Sequence, residues 1–266
     1  MRFLSEQLLD DGVRERRFTL DGVPGILWTP ASAPDPAAPS SSPSLSASAA
    51  PSSGASAAAP LVLLGHPPLG LDAMYPRLVA RARQAAADGF ASATLELPGS
   101  GERPRLPGVD RARAELRRRL RDGEPVGDRL VDELVLPLVE RAVPEWRTAL
   151  DSLVLLPGLG GPVGYSGGLI SVGTRLAAVE PRVSAAVLFA GSFVPRVSFE
   201  EARRVTVPVH VLLQWDDEGN DRQAALDLFD AFGSADKTLH ANTGGHTGVP
   251  AHAGDAAQRF FVRHLA

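Results

Sequence analysis

The pentapeptide Gly164-Tyr165-Ser166-Gly167-Gly168 decides the reading of the fold. It fits G-x-S-x-G, the turn that presents a serine where a buried strand ends and a helix begins. Small residues are required there. The serine is expected in a strained turn, and a side chain two positions away on either side would meet neighbouring backbone. Alone the match says little, because 26 of the 266 residues are glycine. Its surroundings add weight. GPVGY (161–165) leads in, 168–179 reads as a helix, and an acid and a histidine follow later in the chain.

Outward from this turn the pattern is regular. LVLLG (61–65), ASATLEL (91–97), AAVLFAG (185–191) and VHVLLQ (209–214) are short apolar runs, as expected of strands covered on both faces. KTLHAN (237–242) reads as a further strand. Helical composition covers 74–88, 109–122, 222–232 and 255–265. Residues 128–156 read as one or two helices interrupted near Pro137 and Pro144. Upstream, VRERRFTL and VPGILWTP flank Asp21-Gly22 and form an expected hairpin over 13–30. Strands alternating with helices predict an α/β fold, a mostly parallel sheet with helices on both faces. One domain over 1–266 is expected. Residues 31–60 are almost wholly Ala, Ser and Pro. Too little surface is available there to offset ordering entropy, so a disordered insertion between strands is expected.

Bulk properties exclude several functions. The net charge of −4 and a pI near 5.9 argue against nucleic acid or a membrane surface as partner. With no cysteine there is no disulfide, thiolate catalysis or Cys-based metal site. The first residues, MRFLSEQLLDDGVRERR, lack an apolar signal core, and no stretch has transmembrane length, so a cytoplasmic protein is expected. The oligomeric state stays open. Residues 102–122 are Arg-rich but interleaved with acids, which predicts a solvated helical face or a lid, placed at about 102–145. Gly158-Leu159-Gly160-Gly161 precedes a strand instead of opening a helix, so it is not a dinucleotide loop. His66 is expected as a structural loop residue and His210 as a core residue. No histidine pair has metal-ligand spacing with a carboxylate, and no metal is expected.

A serine hydroxyl needs a base to take its proton and a carboxylate to orient that base. In open α/β sheets such groups gather at the carboxyl ends of strands. Asp216 and Asp217 follow VHVLLQ. His246 lies in the glycine-rich stretch Thr243–Gly248 after KTLHAN. The order is Ser, Asp, His. Spacing does not choose between the two aspartates.

LVLLGHPPLG, TLELPGSGERP, VGYSGG, VLLQWDDEGNDR and KTLHANTGGHTGVP, spread over roughly 61–266, resemble an α/β-hydrolase of the dienelactone-hydrolase-like branch common in actinobacteria. The resemblance implies the α/β-hydrolase fold with a small helical lid. It implies a serine hydrolase cleaving a carboxylic ester or related small acyl compound, with no cofactor. Ser166 is then the nucleophile and His246 the base. Asp217 is the acid, since the family's acid directly precedes the residue that opens the next loop, here Glu218. Alternatives are C–C bond hydrolysis, acyl transfer, or a non-catalytic binding protein of the same fold. One departure concerns the oxyanion hole. Where the family has a glycine-rich stretch, this chain reads Gly65-His66-Pro67-Pro68-Leu69-Gly70, and proline has no N–H. The expected donors are Gly167 and, in that loop, Leu69, with Gly70 or a side chain as substitutes.

Overall fold

The computed structural model describes residues 1–30, 58–191 and 193–266. Apart from residues 58–60, the expected insertion lies outside the described residues. The sheet has nine strands in the order β1-β2-β3-β5-β4-β6-β7-β8-β9. β1 (Arg2–Leu8), β2 (Val13–Leu20) and β3 (Val23–Pro30) form an antiparallel meander, and β3 pairs antiparallel with β5 (Ala91–Leu95). From β5 onward all pairing is parallel, through β4 (Ala59–Gly65), β6 (Leu159–Gly167), β7 (Val183–Phe189), β8 (Val209–Gln214) and β9 (Lys237–Asn242). β1 was not anticipated. All of its residues are exposed, so it carries no burial pattern that sequence could reveal.

The apolar runs work because strands β3, β4, β7 and β8 each feed two cores. In β4, Leu61 and Leu63 face one side, and Val62 and Leu64 the other. The first core packs against α3 (Asp128–Leu153), α4 (Ile170–Val179) and α6 (Arg222–Ala231) through Trp146, Leu150, Leu176 and Leu228. The second packs against α1 (Leu71–Ala87) and α7 (Ala251–Leu265) through Leu78, Phe260 and Phe261. The remaining helices are α2 (Pro107–Asp122) and the short α5 (Arg196–Ala202).

One expectation is corrected. α3 is a single helix of 26 residues that runs through Pro137 and Pro144. Proline removes a helical N–H and crowds the carbonyl four residues back, at a cost of about 3 kcal/mol. Here an apolar face of ten buried residues, from Val131 to Leu153, holds the helix together across both sites.

Strand order reverses at β4 and β6. The chain leaves β4 toward β5 and returns to β6 on the other side. The crevice beyond the carboxyl ends of these two strands is where ligands bind in open α/β sheets.

Candidate active site

A cavity of about 1010 Å³ opens at this crevice. Ser166, Asp217 and His246 all line it. The register of β8 and β9 explains the meeting of the last two. The strands pair from Val209↔Lys237 to Gln214↔Asn242, and the Trp215 N–H donates to the Asn242 carbonyl at 2.7 Å. The two loops therefore leave the sheet side by side. Asp217 is buried, and its Oδ2 lies 2.7 Å from His246 Nδ1, while its Oδ1 accepts the Gly219 N–H at 3.0 Å. The Gly248 N–H donates to the Gly245 carbonyl at 2.8 Å, closing a turn around His246 and Thr247. Asp216 points elsewhere. It is exposed and accepts the Gly244 N–H at 3.3 Å.

With Nδ1 donating to Asp217, the neutral His246 ring carries its lone pair on Nε2, so that nitrogen is an acceptor. The ring is 71% exposed at the cavity mouth.

Ser166 sits within β6, opposite Leu64 of β4, and is 7% exposed. Strand alternation directs Gly164 and Ser166 toward the α1 and α7 face. A Cβ on Gly164 would lie 2.7 Å from the Phe261 ring of α7, so only glycine fits there. The Ser166 hydroxyl meets an α1 side chain that sequence did not reveal. Arg81 Nη2 donates to Ser166 Oγ at 2.7 Å and to the Ser166 carbonyl at 2.6 Å, and Nη1 donates to the Gly65 carbonyl at 3.0 Å. No hydrogen bond joins Ser166 to His246 among the described residues. Burial holds the Arg81 guanidinium down at about 10, and no carboxylate among the described residues pairs with it. In sequence it is one arginine of an ordinary helix; only the fold places it beneath the serine.

The strained turn falls one residue later than expected. Gly167 has φ +81° and Gly168 φ +69°, whereas Ser166 is not among the positive-φ residues. Gly167 combines that backbone with crowding, since a Cβ there would lie 3.0 Å from Arg81 Nη2.

The loop after β4 also differs from expectation. The Leu69 N–H donates to the Pro67 carbonyl at 2.7 Å, and the Leu69 side chain is 65% exposed and does not line the cavity. The bond closes a three-residue turn around Pro68, whose fixed φ suits an inverse γ-turn. Residues 67–69 therefore present no free N–H, and Leu69 is not placed as a donor. His66 is tied to the backbone at the cavity wall. Its ring is buried, with Nδ1 2.8 Å from the Pro67 carbonyl and Nε2 2.9 Å from the Leu95 carbonyl. The α1 N-terminus beside it is held by Glu96, which accepts the Leu71 N–H at 2.8 Å. His210 is a buried core residue, as expected.

α2 and the first half of α3 roof the cavity, with Arg113, Leu116, Leu134 and Leu138 facing it. Among the described residues no group of three His, Cys, Asp or Glu side chains is arranged to hold a metal, and no helix is long and apolar enough to cross a membrane.

No family model and no curated protein matches the chain. Solved structures do. A cold-adapted esterase from an Arctic intertidal metagenomic library is 26% identical, with all of both chains covered and a TM-score of 0.73. A Klebsiella pneumoniae protein assigned as a dienelactone hydrolase is 15% identical over 94% of this chain and 97% of its own, with a TM-score of 0.63. The acetyl xylan esterase from Paenibacillus sp. R4 is 13% identical over 99% of this chain and 88% of its own, also at 0.63. With its sheet order, its crevice and these neighbours, the chain belongs to the α/β-hydrolase superfamily and is a hydrolase.

Proposed function

We propose that this protein is a cofactor-independent carboxylic ester hydrolase, of the dienelactone-hydrolase-like branch, that acts on a small acyl substrate through Ser166, His246 and Asp217. The observation that carries the reading is the 2.7 Å bond between Asp217 and His246 at the mouth of a cavity that Ser166 also lines. Ser166 Oγ attacks the ester carbonyl. His246 Nε2 takes the hydroxyl proton and returns it to the departing alcohol. A water molecule, deprotonated by the same nitrogen, then attacks the acyl-enzyme. Asp217 fixes the ring and balances the imidazolium. Catalytic contacts often tighten only with substrate in place, and this reading requires the Ser166–His246 contact to form in the substrate complex. Esterase structures among the neighbours support the ester as the bond cleaved.

A second reading is favoured by the bond between Arg81 and Ser166 and by the glycine at the apex of the turn. In it, the His246–Asp217 pair activates water directly against the ester and no acyl-enzyme forms. A fluorophosphonate probe followed by peptide mapping separates the two. Labelling at Ser166 together with loss of activity supports the first. An unlabelled serine in a fully active enzyme supports the second. A panel of short- and long-chain esters then defines the acyl group that the cavity accepts.

A further inference from the structure

Arg81 is unusual in what it touches. A guanidinium has five N–H donors and no acceptor, so in its 2.7 Å bond with Ser166 the hydroxyl oxygen must accept. The hydroxyl proton is then left to point away from Arg81, toward whatever acceptor the cavity supplies. The same Nη2 also holds the Ser166 carbonyl, and Nη1 holds the end of β4 at Gly65, so the guanidinium cannot swing aside without freeing two carbonyls. Its charge is desolvated and unmatched by a carboxylate among the described residues. An unpaired buried cation is costly unless negative charge comes to it. In a site whose 67–69 loop offers no free N–H, the negative charge nearest to Arg81 during an acyl transfer is the one on Oγ.

We infer that Arg81 is a catalytic residue: its guanidinium orients the Ser166 hydroxyl toward His246 and stabilises the electron pair that returns to Oγ when the acyl-enzyme breaks down. This rests on the serine reading above. In the first half-reaction the bond has opposing effects. It makes the alkoxide easier to form but less nucleophilic, so acylation changes little. In the second, water attacks the acyl carbon and loses its proton to His246 Nε2. The C–Oγ bond then breaks, its electron pair goes to Oγ, and His246 returns the proton there. A cation bonded to a leaving oxygen only helps, so Arg81 acts mainly on deacylation.

The test is stopped-flow hydrolysis of p-nitrophenyl acetate by wild type, R81M, R81Q and R81K, with prior confirmation that a fluorophosphonate labels wild-type Ser166. R81M and R81Q should release one equivalent of p-nitrophenol in a burst. A steady state about 100-fold slower should follow, with kcat/KM changed only a few-fold, so that KM falls with kcat. R81K, which keeps the cation, should recover part of kcat. An unchanged kcat, or a fall in kcat/KM equal to that in kcat with no burst, would overturn the assignment while leaving the serine reading intact. R81Q carries the test if R81M does not fold, and failure of both to fold makes Arg81 a structural clamp and also overturns it. Active wild type that the probe does not label at Ser166 overturns the serine mechanism and, with it, the assignment to Arg81.

Discussion

His246 Nδ1 lies 2.7 Å from Asp217 Oδ2, while Asp216, one residue earlier, faces solvent and its carboxylate accepts the Gly244 N–H. Asp217→Asn should therefore lower turnover by a factor on the order of 10⁴, through loss of the charge that fixes the ring tautomer. Asp216→Asn should stay within a few-fold of wild type. Both are measured with one ester in one buffer. A dead Asp216→Asn beside an active Asp217→Asn would show that the acid is the other residue.

Ser166→Ala should fold and lose activity by a factor on the order of 10⁴–10⁶. It also deprives Arg81 of its hydroxyl partner, yet both backbone carbonyl bonds survive, so the melting temperature should move little. Full esterase activity in a preparation free of wild type would remove the serine from the mechanism.

His210 predicts an acid-side weakness. Burial first, and the nearby His240 ring second, hold its imidazole down at about 4 from an ordinary 6.5. The unfolded chain takes up this proton near pH 6.5 and the native state only near pH 4. The unfolded state thus binds more protons in that window, and stability falls as pH falls through it. The contribution is fully present above 6.5. His210→Phe should flatten the decline of the urea midpoint between pH 7 and pH 4.5. An identical slope in the variant would assign the acid sensitivity to other groups.

Gly173 lets α4 lie close against the sheet. A Cβ there would come 2.5 Å from Leu188 Cδ2 and 2.5 Å from the Tyr165 ring. Gly173→Ala should lower stability by about 1–3 kcal/mol, despite alanine's better helix propensity, because the overlap must be relieved by moving packed groups. Equilibrium unfolding in urea reads the sign directly. A stabilised variant would mean that the helix shifts freely.

Most parallel strands were legible because burial on two faces writes short apolar runs, and most helices because their composition is helical. That an acid after VHVLLQ could meet His246 was legible from their places at strand ends, whereas the choice of Asp217 over Asp216 came from the family resemblance alone. Two features were not. The γ-turn at Pro67–Leu69 spends an N–H that sequence alone leaves available. Arg81 reaches the site across 85 residues of separation, and nothing local distinguishes it from the other arginines of α1. Contacts of that kind belong to tertiary placement, which a pattern of apolar and polar residues does not encode.

The unbroken α3 joins the cavity to the main core. Its early turns roof the cavity through Leu134 and Leu138, and its later turns anchor the main core through Trp146 and Leu150. A close-packed interior passes small displacements along instead of absorbing them. The helix is thus a beam with one end bedded in the core and the other spanning the cavity. Changes at Trp146, which does not line the cavity, should alter which acyl groups fit, and selection for a new substrate along this helix acts on stability at the same time.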